Sequence, residues 1–270
     1  MAPPPVLLST ASFFARPIAW TLARAAEAGY EGVEVMVTKD PDSQDPDRIR
    51  ALAADTGLRL GALHAPCMLV TRRVWGVEPI AKTERSVETA ADAGIPVVIV
   101  HPPYRWQRAY RRWLLDDLPR LVARTGVAVA VENMFPVRVG RGALAFHADH
   151  GLEELEGLPA VALDTSHAAV ARRDLVEIRR RFGDRLRHVH LSDNAGRGWD
   201  SHLPPGEGVL DLEAFLVDLA SSSYEGAVSL EVDLRSAAAG GQPVIELLAS
   251  MRERVEAHLS AGRAVGPGGR

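Results

Sequence analysis

Eight short apolar runs recur along the chain, at positions 6–8, 32–37, 58–63, 97–100, 127–131, 160–163, 186–191 and 227–232. They consist mainly of Val, Leu and Ala with little polar alternation, the pattern of parallel strands covered on both faces. Between them the apolar residues return every three or four positions, which predicts helices over 20–28, 46–56, 84–93, 114–124, 174–182, 212–219 and 244–259. Several of these segments run into a glycine (Gly29, Gly57, Gly94, Gly126), where a left-handed helix end is expected.

Strands and helices in strict alternation argue a parallel sheet, and at this count a closed α/β structure, a single (β/α)8 barrel. A doubly wound open sheet would want a glycine-rich loop after the first strand. Residues 9–14, Ser-Thr-Ala-Ser-Phe-Phe, contain no glycine. No linker or composition shift divides the chain, so one domain is expected over 1–260. The Gly- and Pro-containing segment 261–270 reads as a disordered tail.

Composition narrows the picture further. The chain has 270 residues, 47% hydrophobic and 24% charged, within the globular range, and a net charge of −4. That charge gives no global electrostatic case for nucleic acid or an anionic membrane. A single cysteine, Cys67, cannot form an internal disulfide. The start lacks a basic signal-peptide region, and no apolar stretch approaches the ~20 residues of a membrane span. A cytoplasmic protein is the simplest expectation.

The candidate chemistry lies at the ends of the apolar runs. The third ends in His64, the fourth in His101, the fifth in Glu132 and the sixth in Asp164, with His167 close behind. The seventh carries His190 and Asp193, and the eighth carries Glu231. The steps between them are each about the length of one strand-plus-helix unit, ~30 residues, so the side chains recur at one level of successive strands. In a barrel that level is the C-terminal rim. Carboxylates at such density repel one another unless a cation neutralises them. Mixed imidazole and carboxylate suits zinc, manganese or a similar first-row ion. After the seventh run, Asp200 and His202 precede Leu-Pro-Pro-Gly-Glu-Gly, whose turn residues would present both to the same rim if the backbone there is extended. His147, His150, His188 and His258 carry no such expectation, and His188 lies below the rim.

These segments resemble the xylose-isomerase-like barrels, which comprise sugar and sugar-phosphate isomerases and epimerases together with the endonuclease IV nucleases. The resemblance is carried by LHAP ending at Pro66, VIVHPP ending at Pro103, AVENM around Glu132 and AVALDTSH ending at His167. HVHLSDN around His190, DSHLPPGEG ending at Gly208 and SLEVD around Glu231 complete it. The isomerases and epimerases imply one divalent metal (Mn, Zn, Co or Mg) on Glu132, Asp164, His190 and Glu231. The two glutamates would also exchange a proton beside the substrate carbonyl through a metal-stabilised enediolate. The nucleases imply three zinc ions on nine residues, and all nine have counterparts: His64, His101, Glu132, Asp164, His167, His190, Asp200, His202 and Glu231. Three departures weigh against a nuclease. Cys67 stands where those enzymes usually carry tyrosine, Leu-Ser-Asp-Asn replaces their usual Leu-Asn-Asp-Ser, and the chain is acidic overall. The implied partner is therefore a small sugar or sugar phosphate. A phosphodiesterase and a metal-binding barrel without turnover remain the alternatives, and self-association into a homo-oligomer stays open.

Other features have blander readings. In Arg105-Trp-Gln-Arg-Ala-Tyr-Arg-Arg-Trp113, the spacing of Trp106, Tyr110 and Trp113 predicts one apolar helix stripe with the arginines in solvent. Arg72, Arg73, Arg138, Arg141, Arg197 and Arg235 follow other strands, and any one could meet a phosphate. Ser166 lacks a nucleophile elbow, and Cys67 reads as a small core residue. Glu34, in the second run, would touch a substrate hydroxyl or support the metal ligands.

Overall fold

The structure, a computed structural model, describes residues 2–66, 71–139, 142–144, 146–147, 154–239 and 243–265. Eight strands form the barrel: β1 (Val6–Ser9), β2 (Gly32–Met36), β3 (Arg59–His64), β4 (Val97–Val100), β5 (Ala128–Glu132), β6 (Val161–Asp164), β7 (Leu186–Leu191) and β8 (Ala227–Leu230). Each pairs in parallel with its neighbours in sequence, and β8 returns to β1 through Val6 opposite Val228, which closes the ring. The expected (β/α)8 barrel is therefore the fold.

The helices are α1 (Ile18–Glu27), α2 (Pro46–Thr56), α3 (Pro79–Ala93), α4 (Arg108–Asp116), α5 (Leu118–Thr125), α6 (Thr165–Val170), α7 (Leu175–Phe182), α8 (Leu212–Ser221), α9 (Arg235–Ala239) and α10 (Val244–Val265). Local chemistry sets their ends. Asp45 caps α2 by accepting the amides of Asp47 and Arg48, Pro46 follows it, and Gly57 closes the helix at φ +71°. Glu78 caps α3 on the amides of Ile80 and Ala81, which starts that helix at Pro79 rather than Glu84.

Three expectations need correction. The helix expected over 114–124 is two helices broken at Asp117, because Pro119 cannot continue a helix from the preceding turn. The aromatic stripe is only partly formed: Tyr110 is buried and Trp113 half-buried, but Trp106 lies before α4 and is 67% exposed. The last helix runs through Val265, five residues into the expected tail, while 266–270 lie outside the described residues, as does Cys67. The short helix α6, which springs directly from β6, had no periodic signal to announce it.

Strand pleating sorts the barrel residues into two sets. One set (Val33, Val35, Val98, Val129, Leu163, Val189 and others) packs outward with the helices in one continuous core. The inward set is small: Ala62, Ile99, Ala130, Ala160 and Ala162 form a separate cluster in the lumen. Above them, inward positions become polar. A cavity of about 700 Å³ opens at the other end, among the strand starts, lined by Leu7, Gly61, Ala128, Ala160 and His188 among others. It lies away from the polar rim. Among the described residues, no helix is long and apolar enough to cross a membrane.

The contact between α8 and α10 explains why the chain stays helical past position 260. Gly262 lies so close to α8 that a Cβ there would stand 2.4 Å from the Val217 carbonyl oxygen and 2.8 Å from the Ala220 Cβ. Gly262→Val should therefore lift α10 from α8 and cost about 1–3 kcal/mol. Thermal denaturation would show a lowered midpoint, and an unchanged midpoint would mean that this helix end is not docked.

Candidate active site

The rim residues meet in the lumen. Asp164 sits opposite His190 in the β6–β7 register, and Ser229 opposite His190 in β7–β8. His190 is fully buried and central. Its Nδ1 lies 2.6 Å from Glu132 Oε1, 3.1 Å from Glu231 Oε2 and 4.0 Å from Asp164 Oδ2. His101 Nε2 stands 3.2 Å from Glu132 Oε2, and His64 Nε2 3.9 Å from the same atom. One donor atom from each of His64, Glu132, His190 and Glu231 falls within 4.8 Å of all the others, and donors of Asp164, His167 and His202 form a separate group within the same distance of one another.

A second tier supports the first from below. Glu34 Oε2 is shared by His190 Nε2 at 3.0 Å and His188 Nε2 at 2.7 Å, while Ser9 Oγ donates to Glu34 Oε1 at 2.9 Å. All four residues are completely buried. Glu34 thus stands beneath the ligand residues rather than facing the rim. Of the two roles expected for it, the geometry is that of a support. Asp164 is held from both sides: Asn133 Oδ1 accepts its amide at 2.7 Å, and its own Oδ1 caps α6 by accepting the His167 amide at 2.7 Å. His167 Nδ1 in turn lies 2.9 Å from the Asn133 carbonyl, which directs Nε2 toward Asp200 Oδ2 at 3.2 Å.

Asp200 and His202 reach the rim by a different path from the extended one expected. His202 has φ +39°, a left-handed conformation, and this turn folds its ring back to place Nε2 2.7 Å from Asp200 Oδ2. Its Nδ1 faces Ser192 Oγ and the Glu231 carbonyl. Such strain in a non-glycine residue persists only where its surroundings hold it. Here they do. Asp193 accepts the amides of Asn194, Gly206, Gly208 and Leu210, tying the start of the loop to its end. Gly208 permits this, since a Cβ there would fall 2.3 Å from Asp193 Oδ1 and from the Asn194 carbonyl. Ser166, set aside as a nucleophile, donates to Asp200 Oδ1 at 2.5 Å.

Burial and mutual contact divide the titrating groups. Burial pushes His64 down to about 4, against the pull of Glu132. Burial also pushes Glu231 up to about 7 and raises Asp164, in both cases over the opposing pull of histidines. For Glu132 and Glu34, burial acts upward but the neighbouring histidines win and hold both well below the usual carboxylate range. The reverse holds for His190 and His167, where burial opposes protonation but the surrounding carboxylates raise both well above the usual imidazole value. His202 reaches about 10 against its burial, chiefly through Asp200. Burial lowers His188, so it is neutral, and its Nε2 carries the proton given to Glu34.

The set fits a divalent cation. Glu132 Oε2, Asp164 Oδ2 and Glu231 Oε2 are buried and accept no hydrogen bond, even though imidazole nitrogens stand near two of them. Three orphaned carboxylate oxygens beside imidazole donors are costly without an ion and natural with one. Residues 22–254 match the xylose isomerase-like TIM barrel family. The chain belongs to that family. A protein of unassigned function from Mycobacterium leprae is 39% identical over 251 residues, spanning 85% of this chain and 89% of its own length. A fructoselysine 3-epimerase of Shigella flexneri is 24% identical over 243 residues, spanning 80% and 85%. Among solved structures, a D-tagatose 3-epimerase-like protein superposes with a TM-score of 0.73 over 97% of this chain and all of its own, at 20% identity. An AP endonuclease, family 2, from Brucella melitensis gives 0.70 over 93% and 98%, also at 20%.

Within this xylose isomerase-like barrel, Glu34, His64, His101, Glu132, Asp164, His167, His190, Asp200, His202 and Glu231 lie in the cluster just described. Of the arginines offered for a phosphate, Arg72, Arg73, Arg197 and Arg235 are exposed and outside it, and Arg141 lies outside the described residues. Sequence reasoning missed His188, Asn133 and Ser9. The two-residue spacing of His188 and His190 was visible as a shared strand face, but nothing in it revealed that Glu34 bridges them. Asp193 was seen as a rim residue and is instead the clamp of the loop. Asp193→Asn turns one acceptor oxygen into a donor facing two amides, and should cost about 2–4 kcal/mol. Amide hydrogen exchange at Gly206 and Gly208 should accelerate; unchanged rates would show that the loop holds itself.

Proposed function

We propose that this chain is a divalent-metal-dependent isomerase or epimerase acting on a sugar or sugar phosphate by proton transfer next to a carbonyl. The observation that carries the reading is the pair of glutamates on one imidazole. Glu132 from β5 and Glu231 from the end of β8 approach the same His190 Nδ1, each with an oxygen left without a hydrogen bond. The epimerase names among its relatives agree with this chemistry.

Glu132, Asp164, His190 and Glu231 would hold the cation, with His64 and His101 beside Glu132. When bound, the cation would neutralise charge developing on substrate oxygens; donor set alone leaves Mn, Zn, Co and Mg open. The remaining work belongs to the chain. Glu132 stays ionised and can take a proton, while Glu231, poised near 7, can hold or release one at Oε2. Glu34, itself held by His188, holds Nε2 of His190 so that Nδ1 faces Glu132 and Glu231.

Nuclear magnetic resonance in D2O tests the reaction directly. A ketose or its phosphate should exchange the hydrogen beside its carbonyl, and Glu231→Gln should lower that exchange by at least ~100-fold, the usual scale of a lost general acid or base. Full exchange in the variant at unchanged metal content would remove Glu231 from the chemistry. No exchange with any sugar tested, with metal still bound, would favour a binding barrel without turnover.

A second reading rests on the second donor group. Asp164, His167 and His202, with Asp200 against both histidines, offer a further cation site, as an endonuclease IV-like zinc phosphodiesterase would require. We expect one tightly held divalent cation and a weaker second that depends on His202. Elemental analysis of wild type and His202→Ala after dialysis against trace metal separates the readings. Three zinc equivalents together with cleavage of abasic-site DNA would favour the phosphodiesterase.

Loading must also depend on pH. His190 is protonated well above the usual imidazole range and Glu231 near 7, so a cation entering at neutral pH displaces protons. Affinity should fall as pH drops from 8 to 6. Calorimetry in two buffers of different ionisation heat should record proton release. Equal heats in both buffers would contradict the protonated, metal-free centre.

A further inference from the structure

The Arg105–Trp113 segment is the one sequence feature that the proposed chemistry leaves unused, and its geometry differs from a solvated helix face. Trp106 is 67% exposed, yet its ring is not loose: it lies on Tyr104 with centroids 4.8 Å apart and planes within 3°. Tyr104 in turn stacks on His147 at 4.5 Å, and His147 meets the ring of His101 edge-on at 6.3 Å. His101 touches Glu132. An aromatic ladder thus runs from the candidate centre outward to solvent and ends on an exposed indole. Backbone bonds hold it there: the Arg105 amide donates to the Phe146 carbonyl at 2.9 Å, and the Tyr104 amide to Gln107 Oε1 at 2.8 Å.

Beside this ladder a groove of about 590 Å³ is lined by Tyr104, Gln107, Asp116 and four arginines: Arg105, Arg108, Arg111 and Arg112. Arg105, Arg108 and Arg112 form no side-chain hydrogen bond or ion pair among the described residues. The planar forks of Arg105, Arg108 and Arg112 suit phosphate oxygens. An exposed, backed indole suits the flat face of a ring.

We propose that the Trp106 face and the Arg105–Arg108–Arg112 groove form one binding site for a phosphate ester that carries a ring, with the ring on the indole and the phosphate among the arginines. Its position at the outer end of the ladder makes it the distal subsite of an extended, phosphorylated substrate. That assignment rests on the isomerase reading, whereas the binding itself does not and is measured without turnover. The ring has two sources, a sugar or a nucleobase, and the probes tell them apart.

Isothermal calorimetry on the full chain with its bound metal would compare glucose 6-phosphate, adenosine 5′-monophosphate, glucose and inorganic phosphate. One or both esters should bind, roughly ten-fold or more tighter than phosphate or glucose alone. The tighter ester names the ring. Trp106→Ala should weaken that ester roughly ten-fold, and the double variant Arg105→Gln/Arg108→Gln by ten-fold or more. Both changes are at exposed positions, and circular dichroism would verify folding. The proposal is overturned if neither ester binds, if phosphate alone binds equally well, or if either variant binds as wild type. A single-stranded oligonucleotide binding far more tightly than both esters would also overturn it, in favour of a nucleic-acid surface. Intact sugar exchange in D2O with no ester binding would leave the isomerase reading standing and remove only this subsite.

Discussion

A closed ring of eight strands gives every second residue nowhere to go but the lumen. That constraint governs the rest of this molecule. At the lower levels the inward positions include Ala62, Ala130, Ala160 and Ala162 around Ile99, small side chains that let the strands close tightly. At the upper levels they are Glu, His and Asp, and closure presses these groups together out of water. No single strand holds a site. Asp164 and His190 are opposite each other in register, whereas Glu132 pairs with Ala162 and His190 with Ser229, so Glu132 and Glu231 join them only across the closed lumen.

Such crowding of buried charge is costly, and shared protons offset part of it. His190 bridges Glu34 below and Glu132 above, so one imidazolium offsets two carboxylates. Asp200 plays the converse part, one carboxylate between His167 and His202. Burial then separates what these contacts leave unequal: Glu132 is kept ionised and Glu231 is lifted to about 7. Two chemically identical side chains so acquire different protonation states from their surroundings alone, which is the usual prerequisite for an acid and a base to work at the same pH.

How far the sequence discloses this differs by residue. The barrel was legible because buried parallel strands leave unbroken apolar runs, and the rim because polar residues terminate those runs at a regular interval. The left-handed turn at His202 was not legible, since its cause is the distant clamp of Asp193 on Gly206 and Gly208. Nor was the role of Glu34. A carboxylate on the second strand and two histidines on the seventh meet only across a closed lumen, and spacing along one strand cannot report that. Trp106 misled for a related reason: helical spacing places it in a stripe, but the helix begins two residues later, at Arg108.

The seam between β1 and β8 has a consequence for how the protein reaches this state. Val6 pairs with Val228, so the ring is completed by segments from opposite ends of the chain. Until they meet, both strands are open edges of an apolar, parallel sheet, and bringing them together requires ordering nearly everything between. Closure of this kind is slow and exposes strands to pairing with other molecules in the meantime. The polar cluster cannot assemble earlier either, because Glu231 follows β8 and Glu34 depends on Ser9 at the end of β1. Partly folded chains would therefore carry most of the secondary structure yet lack a complete centre, and refolding at high concentration would compete with aggregation along those two unsealed edges.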